Sequence, residues 1–146
     1  MTKHGQAQLL FHGIVVLLIG LLCGIPYSQA ITGGLGEEAV RGWRFAHLGL
    51  TVGGIWLIAI SGAAGLISIP RSLVAVFVWS LVASGYGFVF ALILGPIFAV
   101  RGLQPIGPAA NLAVFAGNFV GAAGSLVGLG VMLYGASATL QKTRSE

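Results

Sequence analysis

Four long apolar stretches, separated by short polar connections, account for most of the chain. They run from about Gln8 to Ile31, Gly42 to Ile69, Ser72 to Val100 and Ala109 to Leu140. The hydrocarbon core of a bilayer is about 30 Å thick, and a helix that rises about 1.5 Å per residue needs roughly 20 residues to cross it. Each stretch is long enough, so the pattern predicts four transmembrane helices in a single domain that covers residues 1–146.

The connections contain residues that interrupt helices. Three glycines lie between Thr32 and Glu38, a proline follows Ile69, and two prolines lie in residues 102–108. Gly95-Pro96 falls inside the third stretch, where proline removes a backbone donor. This dipeptide predicts that the third helix ends early or kinks at that point.

Composition and charge support a lipid environment. Of the residues, 57% are hydrophobic and only 7% are charged, whereas a soluble domain carries roughly a quarter charged residues. So few charges cannot coat a water-exposed surface. The formal charge of +4 comes from basic residues scattered over connections and termini, and without a basic patch we expect no nucleic-acid partner.

An even number of membrane helices places both termini on the same side of the bilayer. The positive residues of that side are Lys3, Arg71, Lys142 and Arg144, against Arg41, Arg44 and Arg101 on the other side. The positive-inside rule then favours cytoplasmic termini. We expect an integral protein of the bacterial inner membrane in this orientation.

Glycines spaced four residues apart mark close contacts between helices in lipid. Such pairs occur at Gly20 and Gly24, at Gly49 and Gly53, and along the fourth helix at Gly117, Gly121, Gly124 and Gly128. The fourth helix is therefore predicted to carry a packing seam, either within one bundle or between copies. Because a short four-helix bundle has little interior volume for a site, we expect an all-α homo-oligomer.

The chemistry available inside the membrane is limited. No Asp, Glu, Lys or Arg lies deep in a predicted span, which argues against an ion pump or a proton-coupled transporter. His12 and His47 are candidate ligands for haem iron or another metal, although a structural hydrogen bond to a neighbouring helix explains either one equally well. They begin antiparallel helices and lie about 10 Å from the midplane on opposite sides, so they cannot share one iron within a chain.

Two segments, and more weakly a third, resemble the styrene oxide isomerase family. They are Phe11-His12-Gly13-Ile14 followed by Leu21-Leu22-Cys23-Gly24, then Gly42-Trp43-Arg44-Phe45-Ala46-His47, and finally Arg101-Gly102-Leu103. The resemblance implies a four-helix membrane protein that forms trimers and binds haem b between subunits, with His47 as the iron ligand. It also implies that ferric iron acts as a Lewis acid on a small lipophilic epoxide such as styrene oxide, which opens and gives an aldehyde after a hydride shift.

The chain departs from this family at two positions. The family places an Asn about two helical turns after the ligand His, where residues 51–54 here read Thr-Val-Gly-Gly. It also places a Tyr in the third helix where this chain has Gly87, with Tyr86 as its neighbour. One residue corresponds to a rotation of about 100° on a helix, so Tyr86 is expected to face elsewhere unless the helix is shifted.

The candidate site therefore contains four residues. His47 is the expected metal ligand, and Trp43 is either a haem contact or an anchor at the membrane interface. Tyr86 and Asn118 are candidate catalytic contacts, although Asn118 is also explained by a structural bond between helices. The alternatives to an epoxide isomerase are a haem-binding sensor or electron carrier without catalysis, and a structural membrane protein without a cofactor.

Overall fold

The computed structural model describes residues 1–145, which form helices and no strands. The helices are α1 (Lys3–Leu22), α2 (Gly24–Thr32), α3 (Glu37–Ala63), α4 (Arg71–Ile97) and α5 (Ala109–Arg144). Because α2 follows α1 almost directly, they form one unit, and four units are long and apolar enough to cross a membrane. The predicted all-α fold with four membrane helices is confirmed, and it indicates an integral membrane protein.

The first membrane unit is interrupted at Cys23, which the sequence pattern did not predict. Pro26 has no backbone N–H and cannot bond the carbonyl four residues earlier, and Gly24 favours helix weakly. The helical ladder resumes when the Tyr27 N–H donates to the Cys23 carbonyl at 3.2 Å. A local break in the ladder therefore separates α1 from α2.

Two of the helices end earlier than the apolar pattern indicates. The helix α3 ends at Ala63 and gives way to turns, whereas the predicted span continued to Ile69. The helix α4 ends at Ile97, directly after Pro96, which agrees with the early end predicted from Gly95-Pro96. Ala99 follows with a φ of 51°, and the Val100 N–H donates to the Gly95 carbonyl at 2.9 Å, which closes the helix end.

The helices pack as an open arrangement, with the core between α1, α3 and α4. The largest fully buried side chains are mostly from these three helices and include Leu9, Leu50, Leu57, Phe77 and Leu81. Among the described helices, α5 contacts only α4. No Cα atom of α5 lies within 8 Å of a Cα atom of α3, and a groove remains between the two helices.

The glycine seam of α5 packs against α4 within the same chain. An added Cβ at Gly87 would lie 2.7 Å from the backbone nitrogen of Gly121, so only glycine allows this approach. Ser84 on α4 donates its hydroxyl to the Gly121 carbonyl at 2.7 Å, and its Oγ lies 2.6 Å from the Oγ of Ser125. The predicted seam is thus confirmed as a contact inside one chain, closed by small residues and buried hydroxyl bonds.

Candidate functional site

His47 lies on α3 and is held by the backbone of α1. Its Nδ1 lies 2.9 Å from the Gly20 carbonyl oxygen. A carbonyl oxygen only accepts hydrogen bonds, so Nδ1 carries the proton and Nε2 of the neutral ring keeps its lone pair. Histidines that bind metals are commonly oriented by this kind of bond from the other ring nitrogen. The arrangement therefore leaves the Nε2 lone pair available.

The surroundings of His47 fix the plane of its ring. The Tyr27 ring of α2 stacks on the imidazole with centroids 6.1 Å apart and an interplanar angle of 24°. Gly24 presents only its backbone, and an added Cβ there would lie 3.3 Å from the imidazole Cε1. The break between α1 and α2 thus brings a glycine and an aromatic ring against one half-buried histidine.

The donor set fits an axial haem ligand better than a metal site built from protein side chains alone. Within residues 1–145, no group of three or more His, Cys, Asp or Glu side chains could hold a metal ion. A porphyrin brings four nitrogen ligands of its own, so the protein needs to supply only one or two. A single oriented imidazole with a free Nε2 meets that requirement.

Trp43 lies one helical turn before His47 on α3. It is half-buried and packs against the hydrophobic core. Residues four apart on a helix lie on the same face, so Trp43 is a neighbour of His47 on the inner side of α3. This position is compatible with a contact to a group held by His47.

Tyr86 contacts His12 and not His47. Its Oη lies 2.9 Å from the His12 Nδ1, and the Trp79 ring centroid lies 6.3 Å from the His12 ring centroid. His12 precedes Gly20 by eight residues, which is about 12 Å along the helix axis. Since Gly20 holds His47, the two histidines lie at different depths, and Tyr86 lies with His12, remote from His47 within one chain.

Asn118 lies on α5 and joins that helix to the preceding loop. Its Nδ2 donates to the carbonyls of Arg101 and Gly102 at 3.3 and 3.2 Å. These bonds give Asn118 a structural role, although its partner is the loop before α5 and not the neighbouring helix that was expected. Asn118 also borders the groove between α3 and α5.

The groove has a volume of about 570 Å³ and is mainly apolar. This is within the size range of small-molecule sites. Gly49, Gly53 and Trp56 form its α3 wall, and Phe88 of α4 and Leu129 of α5 are among the residues opposite. No pattern in the sequence predicts this groove, because it exists only where α5 packs on α4 at a distance from α3.

His47 and the groove face different sides of α3. At about 100° per residue, Gly49 and Trp56, on the open wall of the groove, lie about 160° and 180° around the helix from His47. The buried Leu50 and Leu57 also line the groove and lie about 60° and 80° from His47. The His47 ring is directed towards α1 and α2, through Gly20 and Tyr27. A group bound to His47 is therefore separated by α3 from the groove of the same chain.

Comparison with known proteins gives one clear match. The sequence model of the family described as styrene oxide isomerase matches residues 5–137, which is most of the chain. No protein among those with curated functions matches significantly. The family match spans His47, all four membrane units and the groove.

Proposed function

The chain belongs to the styrene oxide isomerase family, and on that premise we propose that it is a membrane isomerase that converts lipophilic epoxides to aldehydes with haem b bound by His47. The observation that supports the cofactor is the bond from His47 Nδ1 to the Gly20 carbonyl, which leaves Nε2 available. Ferric haem would supply a Lewis acid for the epoxide oxygen, so that the ring opens and rearranges without net oxidation or reduction.

The chain's own residues have separate tasks in this proposal. His47 binds the iron, and Gly20 and Tyr27 hold the imidazole in one orientation. The apolar groove takes up the epoxide from the lipid and excludes water, which would otherwise add to the opened ring. Such an arrangement favours rearrangement over hydrolysis.

We further propose that the reactive site is shared between copies of a homotrimer. Because His47 and the groove face different sides of α3, a haem on His47 would meet the groove of a neighbouring copy. The separation of α5 from α3, whose Cα atoms approach no closer than 8 Å, leaves the groove accessible to such a neighbour. The family resemblance implies both the trimer and a haem between subunits, and the two faces of α3 support a shared site.

An absorption spectrum tests the cofactor. Protein purified in mild detergent is expected to carry a Soret band, which His47→Ala removes and His12→Ala retains. His12→Ala is the matched control because it removes the other intramembrane imidazole. A Soret band that persists unchanged in His47→Ala would refute the ligand assignment. Incubation with styrene oxide, followed by detection of the aldehyde, tests the activity separately.

Mixed oligomers test whether the site is shared. His47→Ala removes the ligand, and Gly53→Trp fills the groove, so each variant alone is expected to be inactive. Co-expressed, they form mixed oligomers in which an intact His47 meets an intact groove, and activity should return. If haem-loaded mixed oligomers stay inactive, the ligand and the groove act within one chain.

A haem-binding sensor or electron carrier is the second candidate. It is favoured by residues 51–54, which contain no Asn, and by the bond that holds Tyr86 to His12. Both features leave the family's substrate-orienting groups without a direct counterpart near His47. A six-coordinate, redox-active spectrum together with no aldehyde formation from epoxides would select this function.

A further inference from the structure

An open depression lies between the end of α2 and the start of α3. Its volume is about 640 Å³. The lining residues are Ala30, Ile31, Gly34, Gly36, Glu37, Val40, Arg41 and Arg44. It lies at the end of the first two membrane units, where the apolar stretches give way to the polar connection. The depression thus combines apolar walls with charged residues at the expected membrane boundary.

The charge in this depression is positive and not neutralised by ion pairs. Of the charged residues that line it, two are basic, Arg41 and Arg44, and one is acidic, Glu37. Neither guanidinium forms an ion pair or side-chain hydrogen bond with any residue in the range 1–145, whereas Arg101 bonds Glu38 at 3.3 Å. An unpaired pair of arginines in a concave surface is suited to bind an anion with two carboxylates or a phosphate.

The depression lies close to His47 along both α2 and α3. Arg44 precedes His47 by three residues, so the two are neighbours on α3, about 4.5 Å apart along its axis. On α2, Tyr27 stacks on His47, and Ala30, about one turn later, lines the depression. Both helices therefore lead from the imidazole outward to the two arginines.

We propose that Arg41 and Arg44 bind the propionate carboxylates of the haem held by His47; this inference rests on the proposed haem function. Haem b has one charged edge with two propionates, and the remainder of its periphery is apolar. Guanidinium and carboxylate groups pair through charge-assisted hydrogen bonds. The arginines thereby direct the charged edge to the membrane boundary and leave the apolar edge in the membrane.

An anionic lipid headgroup would satisfy the same two charges, but the structure favours the haem. The arginines lie on the same helix as the proposed iron ligand, one and two turns from it, and the depression has apolar walls at Ala30, Ile31 and Val40. A phospholipid headgroup does not require a histidine nearby. The lipid is therefore treated as a competing outcome of the experiment.

The experiment measures how fast haem leaves the protein. Purified protein in detergent is loaded with haem b or with its dimethyl ester, in which both propionates are neutral, and the transfer of haem to excess apomyoglobin is followed in the Soret region. The variants are Arg41→Gln with Arg44→Gln, and Arg101→Gln as a control that removes a positive charge on the same side of the membrane. Circular dichroism checks that each variant retains its helices.

We expect the arginine double variant to release haem b about 10- to 100-fold faster than the unmodified protein, since each lost charge-assisted bond changes an equilibrium roughly tenfold. The ester should leave the unmodified protein as fast as haem b leaves the double variant. The double variant should release haem b and the ester at the same rate. Arg101→Gln should release haem at the rate of the unmodified protein.

Three results would overturn the inference, and they are distinguishable. Equal release of haem b and ester from the unmodified protein would show that the propionates have no charged partner. Unchanged haem release from the double variant, together with loss of co-purified anionic lipid, would assign the arginines to lipid. The absence of any Soret band in the unmodified protein would refute the haem function itself, and this inference with it.

Discussion

Gly20→Ala perturbs one of the closest contacts between α1 and α3, beside the proposed iron ligand. An added Cβ would lie 2.5 Å from the Thr51 nitrogen and 2.7 Å from the Leu50 carbonyl carbon. Both atoms belong to the backbone of α3, so no side-chain rotation can relieve the overlap. The two helices must separate.

The size of the effect follows from these distances. Ordinary contacts begin near 3.4 Å, so α1 and α3 must move apart by about 1 Å, which weakens dispersion contacts along the interface. Overpacking of this kind costs about 1–3 kcal/mol, and the better helix propensity of alanine offsets up to about 1 kcal/mol. We expect a net loss of about 1–2 kcal/mol, together with a longer bond from His47 to the Gly20 carbonyl.

Unfolding in mixed micelles with increasing sodium dodecyl sulfate, followed by circular dichroism, measures this loss. The matched control is Gly130→Ala, a helical glycine with no atom within 4 Å of an added Cβ, which should be neutral or slightly stabilising. If Gly20→Ala unfolds at the same detergent fraction as Gly130→Ala, the close packing of α1 on α3 at Gly20 does not contribute to the unfolding free energy, and the reasoning is wrong.

Three further predictions concern the groove, the seam and one helix end. Gly53→Leu places a side chain in open space at the groove wall and narrows the groove, so turnover of bulky epoxides should fall more than turnover of small ones. Gly62→Leu, where there is also open space but outside the groove, should leave the ratio of the two turnover rates unchanged. Ser84→Ala removes two hydroxyl contacts to α5 and should lower the unfolding free energy by about 1 kcal/mol in the same detergent titration; no change would contradict a role for the hydroxyl. Ala99→Gly relieves the strain of a φ of 51° and should raise the unfolding free energy by about 1 kcal/mol, whereas Ala116→Gly within α5 should lower it by a similar amount. If both variants change the unfolding free energy in the same direction, the argument from backbone strain is wrong.

The sequence identifies candidate site residues, but it does not show which of their side chains meet in the folded chain. His47 stands out as an imidazole in an apolar span next to a motif that resembles one family. The different depths of His12 and His47 in the membrane were predicted, because they depend only on helix rise and on the antiparallel order of the helices. Tyr86 illustrates the limit, since sequence spacing does not reveal that its hydroxyl meets His12.

The glycine seam shows the same division. Spacing of four residues identifies Gly117, Gly121, Gly124 and Gly128 as a close-packing face, because helix periodicity is a local property. It does not identify the partner of that face. Only the folded chain assigns it to α4, where Gly87 and Ser84 receive it.

By itself, the sequence predicted the lipid environment and the number of membrane helices, because hydropathy and helix rise are properties of local segments. Side-chain chemistry offered His12 and His47 as candidate ligands, and the family resemblance indicated His47. The tertiary structure decided which nitrogen of His47 is free, that α5 packs on α4 and on no other described helix, and that the open wall of the groove and His47 lie on different faces of α3. These features arise from contacts between residues far apart in the chain, such as Gly20 with His47, whose geometry depends on how the helices pack and cannot be read from the periodicity of either helix.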